Sequence, residues 1–211
     1  MPPNDQLPSL GGFQPFTLSD YPGRPAAILY TRGCNLRCPF CHNGGLLKQP
    51  TADNEDVPYS HVLTLLTERR GKLTGVVISG GEPTIHPDLP ALCRRLKDLG
   101  YAVKLDTNGT RPAALRHLLA EKLLDFIAQD IKGPLERYDE FCGRSVERAA
   151  VLESIDLVAS SGLPHLFRTT LVEPLLRPGD RERIAALAPP GSRHVWQRFN
   201  PARALEPLLR G

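Results

Sequence analysis

The fold and chemistry of this chain are decided by the stretch Gly33-Cys34-Asn35-Leu36-Arg37-Cys38-Pro39-Phe40-Cys41-His42-Asn43. Its three cysteines, at spacings of four and three residues, follow directly after an apolar run at residues 26–31. Thiolates select iron–sulfur clusters, zinc or copper(I). A structural zinc site or cluster normally takes four protein ligands, whereas this stretch supplies three cysteines. A four-iron cluster on three thiolates would keep one iron open, which predicts a site for chemistry.

Other residues could supply a fourth ligand and make this a closed metal site. His42 would turn the stretch into a zinc knuckle, but the consecutive residues Cys41 and His42 rarely both reach one small tetrahedral ion. Cys93 lies within a leucine-striped helix pattern, and Cys142 lies in a predicted loop. We expect both to be small apolar fillers of the core.

Strand and helix patterns alternate along the rest of the chain. The predicted strands are short and almost entirely apolar, as is typical of parallel strands covered on both faces. They span residues 26–31, 75–79, 102–106, 126–130, 166–172 and 194–199. Amphipathic helices are predicted near residues 59–66, 89–99, 112–123, 151–158 and 180–187, with Asp180 capping the last one.

Six strands joined by crossover helices predict an α/β fold with a parallel sheet and right-handed connections. Six units are too few for the eight-stranded barrel, so we expect a partial (β/α)6 TIM-like barrel. The sequence contains no obvious linker, which predicts a single domain over residues 1–211. The proline-containing ends, residues 1–15 and 200–211, are expected to be irregular arms.

Composition narrows the class of protein. Hydrophobic residues make up 41% of the 211 residues and charged residues 23%, which excludes a disordered chain. The formal net charge is +3, and the basic residues are scattered among acids, so we expect no nucleic-acid partner. The N-terminus lacks a signal-peptide pattern, and no apolar stretch is long enough for a membrane span. We therefore expect a cytoplasmic protein with reduced thiols and no membrane partner.

Polar motifs follow three of the predicted strands. They are Ser79-Gly80-Gly81-Glu82-Pro83, Asp106-Thr107-Asn108-Gly109 and Asp130-Ile131-Lys132. Each alone could be an ordinary turn or a surface ion pair. Parallel sheets place their active sites at the carboxyl ends of the strands, so we expect these motifs to meet beside the cysteines. The paired glycines would admit a ligand close to the backbone, and Glu82 could accept hydrogen bonds from an ammonium group.

Two carboxylates at adjacent strand ends would need cations nearby. Lys132 could supply one, and we expect a bound monovalent cation, held by Asp106 and Asp130, to supply another. Arg168 lies within the fifth predicted strand, where an unpaired charge is costly. We expect it to point into the barrel, near a ligand carboxylate or paired with Asp20, with a solvent-facing position as the alternative.

Taken together, these motifs resemble the radical SAM superfamily, whose hallmark is the three-cysteine pattern with an aromatic residue, here Phe40, before the last cysteine. The resemblance implies the radical SAM fold and a [4Fe–4S] cluster on Cys34, Cys38 and Cys41. It implies that the open iron chelates S-adenosylmethionine (SAM), which is cleaved reductively to methionine and a 5′-deoxyadenosyl radical. The remaining residues that it implies for the cofactor site are Phe40, His42, Gly80, Gly81, Glu82, Asp106, Asn108, Asp130, Lys132 and Arg168.

A finer resemblance is to the activating enzymes of glycyl-radical proteins. It rests on Leu18-Ser19-Asp20-Tyr21-Pro22-Gly23, Cys41-His42-Asn43, Leu105-Asp106-Thr107-Asn108-Gly109 and Asp130-Ile131-Lys132. The chain is most similar to the short activating proteins of anaerobic ribonucleoside-triphosphate reductase. The resemblance implies that a hydrogen is removed from a glycine in the partner's C-terminal loop, with flavodoxin or ferredoxin as electron donor.

Pyruvate formate-lyase activase is a close relative by resemblance, but its family has a histidine near the last strand. This chain has Gln197, Arg198 and Asn200 there. Two alternatives to an activase stay open. One is a radical SAM enzyme acting on a small molecule or RNA, for example in deazapurine synthesis. The other is a non-enzymatic iron–sulfur or zinc protein.

Overall fold

A single seven-stranded sheet organises the protein. The computed structural model describes residues 7–48, 50–51 and 54–210. The strands lie side by side in chain order, β1 running antiparallel to β2 and all later neighbours running parallel. They are β1 (Leu10–Thr17), β2 (Ala26–Thr31), β3 (Gly75–Gly80), β4 (Ala102–Thr107), β5 (Phe126–Asp130), β6 (His165–Leu171) and β7 (His194–Arg198).

Helices form the connections between the parallel strands. They are α1 (Tyr59–Glu68), α2 (Leu89–Asp98), α3 (Pro112–Ala120), α4 (Tyr138–Cys142), α5 (Arg148–Ser160) and α6 (Asp180–Ala185). Alternate strand residues such as Leu29, Ile78 and Leu105 pack with the helices in one large core. Residues of the opposite parity, such as Ile28 and Val77, form a small second core on the concave face. This two-faced burial is the reason that the strands are apolar almost throughout.

The predicted parallel α/β sheet, a partial TIM-like barrel, is confirmed. The six predicted strands are all present, within one residue of their predicted ends. The expected irregular arm over residues 1–15 is wrong for residues 10–15, which belong to β1. Gly11, Gly12 and Pro15 gave this segment no strand pattern. Pairing with β2 forms the strand all the same, with register shifts on either side of residues 12–14, and an edge strand tolerates Pro15 there.

Two local predictions are also corrected. Asp180 is not the N-cap of α6: Gly179 occupies that position, and Asp180 is the first helical residue. Its fully buried carboxylate accepts hydrogen bonds from Arg137, Arg183 and the Arg177 N–H. Cys142, expected in a loop, ends the short helix α4. Within the described residues, no helix is both long and apolar enough to cross a membrane.

Candidate active site

A cavity of about 350 Å³ lies at the carboxyl ends of the parallel strands. Residues from the loop after β2, from the ends of β3 to β6, and from the C-terminal segment line it. The lining includes all of the residues that are predicted from the sequence for the cofactor site. These are Cys34, Cys38, Phe40, Cys41, His42, Gly80, Gly81, Glu82, Asp106, Asn108, Asp130, Lys132 and Arg168.

The three cysteines of the loop after β2 all face this cavity. Cys38 is buried, whereas Cys34 and Cys41 are partly exposed, and all five cysteines of the chain are free thiols. Burial raises the pKa of the Cys34 thiol to about 11, although a hydrogen bond from the Leu36 N–H lowers it by a smaller amount. Burial also raises the pKa of Cys41. Without a metal these two thiols stay protonated at neutral pH, so metal binding must displace their protons.

Backbone contacts hold the cysteine loop against the loop after β3. The Glu82 N–H donates to the Gly33 carbonyl at 2.9 Å, and the Asn43 side chain donates to the Gly80 carbonyl at 2.9 Å. A Cβ on Gly81 would lie 1.8 Å from the Gly33 oxygen, so only glycine fits there. The two motifs that the sequence predicted to meet are thus interlocked through their main chains.

Cys142 contacts the cysteine loop from behind, which the sequence analysis did not expect. Its carbonyl accepts the Arg37 N–H at 2.9 Å. The neighbouring Cys142 thiol, and then the charge of Lys132, lower the pKa of Cys38 against the effect of burial. Cys142 is itself fully buried in the main core, as expected of a small apolar filler. Cys93 is fully buried in α2 among apolar residues, as expected.

Glu82 is directed into the protein between the loops after β3 and β4. It is 1% exposed, and one carboxylate oxygen accepts the Thr84 N–H (3.1 Å) and the Thr107 hydroxyl (2.8 Å). The other oxygen accepts the Asn108 N–H at 2.6 Å. Burial raises the pKa of Glu82 in spite of these hydrogen bonds. The carboxylate therefore ties two strand ends together, and the role predicted for it toward an ammonium group stays a prediction.

Five charged side chains of β4, β6 and the end of β5 form a network, here called the charged wall, and all of them except Lys104 line the cavity. Arg168 bridges the two strand-end carboxylates, with its Nη1 3.1 Å from Asp106 Oδ2 and its Nε 2.9 Å from Asp130 Oδ1. Lys104 pairs with Asp106, and Lys132 Nζ lies 2.9 Å from Asp130 Oδ2. Three cations thus face two carboxylates, which leaves this wall with a local charge of +1.

This network corrects the predicted partner of Arg168 and weakens the case for a bound monovalent cation. Arg168 does point inward, but it pairs with Asp106 and Asp130 rather than with Asp20, whose carboxylate accepts hydrogen bonds from Thr17 and Ser19. Burial disfavours the charge on Asp130, yet the adjacent Arg168 and Lys132 lower its pKa to about 2. The bound monovalent cation stays a prediction. It was expected because Asp106 and Asp130 need cations nearby, and Lys104, Lys132 and Arg168 already pair with these two carboxylates.

His42 joins the cysteine loop to the C-terminal segment, residues 199–206. Its ring stacks on Phe199, with centroids 5.7 Å apart and planes 10° apart, and its Nε2 accepts the Asn200 N–H. Burial, and then the charge of Arg203, lowers the pKa of His42. Phe40 packs edge-to-face on Phe141 below the loop. These rings wall the cavity on the side of the cysteines.

Some lining residues were not predicted as site residues. They are Asp20, Tyr30, Ser79, Thr170, Gln197 and Arg203, among others. Lys104 was missed as well, although it lies two residues before Asp106 in β4 and therefore on the same face of the strand. The presence of a lysine inside an apolar strand could have identified Lys104 as a site residue. Arg203 carried no such signal, because only the path of the C-terminal segment brings it to the cavity.

The cavity offers three thiols as possible ligands for a metal group. Among the residues that the structure describes, no group of three or more His, Cys, Asp or Glu side chains is arranged to hold a metal ion. A polynuclear cluster is wider than one ion, so thiols that share a cavity wall without converging on one point can bind it. Three cysteine thiols on one loop, all facing the cavity, are the soft donors that an iron–sulfur cluster takes.

A protein-family model of the radical SAM superfamily matches residues 28–188 of the chain. The chain belongs to the radical SAM superfamily. Membership implies a [4Fe–4S] cluster and SAM, and it makes the chain an enzyme. The matched region begins in β2, extends beyond α6, and contains all three cysteines and the strand-end motifs.

Individual radical SAM relatives differ in how much of the chain they match. A protein of Methanocaldococcus jannaschii, named as a candidate glycyl-radical enzyme activating enzyme, is 31% identical over 203 residues, covering 93% of this chain and 82% of that protein. The 7-carboxy-7-deazaguanine synthase of Aquifex aeolicus is 38% identical over 90 residues, covering 42% of this chain and 38% of that enzyme. A crystal structure of Streptococcus suis SuiB bound to SAM shares the fold, with TM-score 0.58, 16% identity and coverage of 82% of this chain and 38% of that one.

Proposed function

We propose that this radical SAM enzyme activates a glycyl-radical enzyme, an anaerobic ribonucleoside-triphosphate reductase, by removing one hydrogen atom from a glycine of that partner. The observation that carries the proposal is the extent of the match to the M. jannaschii relative, 93% of this chain and 82% of that protein. The match to the A. aeolicus deazaguanine synthase covers less than half of either chain, and the match to that of Methanopyrus kandleri, 30% identical, covers 68% of this chain and 66% of that enzyme. Similarity along the whole length reaches the residues outside the shared cluster site, where substrate specificity resides.

Cys34, Cys38 and Cys41 are proposed to hold the cluster. When bound, the cluster supplies the electron that cleaves SAM to methionine and a 5′-deoxyadenosyl radical. The chain's own contribution is to fix the loop: the Gly33–Glu82 and Asn43–Gly80 hydrogen bonds set its position against β3. Because these contacts use the backbone and Asn43, the three thiols remain available as ligands.

The SAM molecule is proposed to lie between the cysteine loop and the charged wall. Gly80 and Gly81 expose main-chain groups toward the methionine part, next to Glu82 and Asn108. Lys132 and Arg168 line the cavity and offer positive charge to an anionic carboxylate. Phe40 and His42 line the same cavity and exclude water from it.

A glycine in a polypeptide loop is a substrate that needs an accessible site. The strands of the sheet do not close on themselves, since β7 pairs with β6 and β1 pairs with β2. The cavity therefore lies in an open barrel that can admit an extended segment. Transfer of a hydrogen atom from the glycine would require no acid or base from the protein. Flavodoxin or ferredoxin is proposed as the electron donor.

The test is anaerobic activation of a purified partner. The protein is reconstituted with iron and sulfide, reduced with flavodoxin or a chemical reductant, and mixed with SAM and an anaerobic ribonucleoside-triphosphate reductase. We expect the doublet of a glycyl radical in the electron paramagnetic resonance (EPR) spectrum, together with an equivalent amount of 5′-deoxyadenosine. The matched controls are the partner with its C-terminal glycine changed to alanine and this chain with Cys41→Ala.

A deazaguanine synthase is the second candidate, because that relative matches part of the chain. If 5′-deoxyadenosine forms but no glycyl-radical protein ever gives the doublet, the activase proposal is wrong. Formation of a deazaguanine product in the same assay would support the second candidate. Absence of 5′-deoxyadenosine under all conditions would contradict both.

A further inference from the structure

Lys104 is a buried lysine that the proposed function does not use. It lies in β4, two residues before Asp106, and is 2% exposed. Its neighbours on the adjacent strands are Val77 of β3 and Phe126 of β5, and its Nζ lies 5.9 Å from the centre of the Phe126 ring. Both neighbours belong to the small second core on the concave face, so the stem of Lys104 lies beside apolar groups.

The charged end of Lys104 reaches Asp106. Its Nζ donates a hydrogen bond to Asp106 Oδ1, because residues two apart in a strand lie on the same face. Asp106 lines the cavity, whereas Lys104 is absent from the lining that the described residues form. The ammonium group therefore approaches the carboxylate from inside the protein and not from the cavity.

The two strand-end carboxylates do not fit the monovalent cation that the sequence predicts. All four of their oxygens already accept hydrogen bonds from protein cations. The donors are Lys104 and Arg168 at Asp106, and Arg168 and Lys132 at Asp130. A further cation would have to compete with these donors, and it would also be repelled by the surplus positive charge of the charged wall.

We propose that Lys104 takes the place of the monovalent cation: its ammonium group neutralises Asp106 and fixes that carboxylate at the edge of the cavity, so the protein needs no potassium or sodium ion there. A tethered ammonium group loses no translational freedom when the pair forms, whereas a free ion does. Lys104 is thus a positioning residue that acts on SAM through Asp106. The inference rests on the proposed function only in placing SAM beside Asp106.

The experiment first measures thermal unfolding of the full chain without cluster. Potassium or sodium chloride replaces tetramethylammonium chloride stepwise at constant ionic strength, since tetramethylammonium is too bulky to fit between the two carboxylates. The variants are Lys104→Gln, which offers an amide oxygen to an ion, and Lys104→Ala, which opens space for one. The matched control is Lys97→Ala, because Lys97 also pairs with an aspartate, Asp125, but at the amino end of β5.

We expect wild type and Lys97→Ala to show no saturable change of the unfolding temperature in either titration. Both Lys104 variants should gain at least about 2 °C in potassium or sodium chloride, in a saturable way, because an ion that binds only the folded state stabilises it. This selective stabilisation is a response that the loss of an ordinary structural ion pair would not produce.

The second measurement uses the reconstituted, reduced protein and follows 5′-deoxyadenosine formation against SAM concentration. The half-saturating SAM concentration of wild type and of Lys97→Ala should be the same in all three salts. For the Lys104 variants it should be at least about fivefold higher in tetramethylammonium chloride than in potassium or sodium chloride, because the ion and SAM are coupled through Asp106.

Two results would overturn the inference. Saturable stabilisation of wild type by potassium or sodium would show that a free ion binds in addition to Lys104. Folded Lys104 variants with no more ion dependence than Lys97→Ala would make Lys104 a structural ion-pair residue only. If neither Lys104 variant folds, the wild-type titration decides, and any saturable ion dependence overturns the inference. A wild-type protein without 5′-deoxyadenosine would contradict the proposed function, whereas the unfolding results would still test Lys104.

Discussion

The two walls of the cavity are built in opposite ways. The cysteine wall, residues 33–43, is held by main-chain and Asn43 contacts such as Glu82 N–H to Gly33 and Asn43 to Gly80. The charged wall, consisting of Lys104, Asp106, Asp130, Lys132 and Arg168, is held by its own side chains in ion pairs. One wall leaves its reactive side chains available, and the other uses them to stabilise the structure.

This difference separates chemistry from stability. A change of one thiol should remove a ligand but leave the loop in place, because the contacts that position the loop are elsewhere. A change in the charged wall should leave a partly buried charge without its partner and destabilise the fold. Mutations in the cysteine wall should therefore lower activity, and mutations in the charged wall should lower stability. The expected effects run from the largest to the smallest.

Cys41→Ala should abolish SAM cleavage while the protein stays folded. Cys41 is partly exposed, and loss of its thiol should lower the free energy of unfolding of the apoprotein by no more than about 1 kcal/mol. Iron content after reconstitution, 5′-deoxyadenosine yield and urea unfolding measure the three quantities. A variant that keeps full SAM cleavage would show that the cysteine wall is not the cluster site.

Arg168→Met should lower the free energy of unfolding by about 3 kcal/mol, because it leaves Asp106 and Asp130 without the cation that bridges them. The control is Arg94→Met, which breaks the exposed pair with Glu121 and should cost less than about 1 kcal/mol. Urea unfolding of both apoprotein variants measures the difference. Equal costs would mean that the charged wall is not a stabilising network.

Asp130 should make the stability depend on acid pH. Its pKa is lowered from 3.8 to about 2 in the folded state, so its stabilising contribution is complete above the unfolded value and is lost as the pH falls from about 4 to about 2. Asp130→Asn should therefore be less stable than wild type at pH 7 by about 2 kcal/mol. This difference in the free energy of unfolding between wild type and variant should disappear as the pH falls through that acid range. A gap that is the same at pH 5 and at pH 2 would contradict the ion pairs seen at Asp130.

His42→Ala should have a small effect, confined to the C-terminal segment. It removes the stack on Phe199 and the acceptor for the Asn200 N–H, at a cost of about 1 kcal/mol. The C-terminal segment should loosen locally, which hydrogen exchange at residues 199–206 can measure. Protection unchanged from wild type would mean that His42 does not hold this segment.

The sequence was informative where a motif coincides with the end of a strand. The cysteine loop, the Gly80–Gly81 pair, Asp106 and Asp130 follow apolar strands, and parallel strands bring such ends to one edge. All of them therefore meet at the cavity as predicted. Pairing partners were less predictable: the cost of an unpaired charge predicts that Arg168 points into the barrel but does not say which carboxylate it meets.

What the sequence could not supply depends on contacts between distant segments. β1 forms because the edge of β2 was unpaired, although Gly11, Gly12 and Pro15 disfavour a strand. The Cys142 carbonyl reaches the Arg37 N–H through the packing of α4, which has no pattern of its own over five residues. Arg203 reaches the cavity because the chain after β7 turns back over His42. These contacts are set by tertiary packing and not by local pattern.

The central claim is that the cysteine wall binds a cluster that cleaves SAM. Its most direct test is anaerobic reconstitution with iron and sulfide, followed by reduction in the presence of SAM and measurement of 5′-deoxyadenosine. We expect 5′-deoxyadenosine from the wild-type protein and none from Cys34→Ala, Cys38→Ala or Cys41→Ala, with Cys93→Ala still active. A cluster-loaded wild-type protein that yields no 5′-deoxyadenosine would contradict the account.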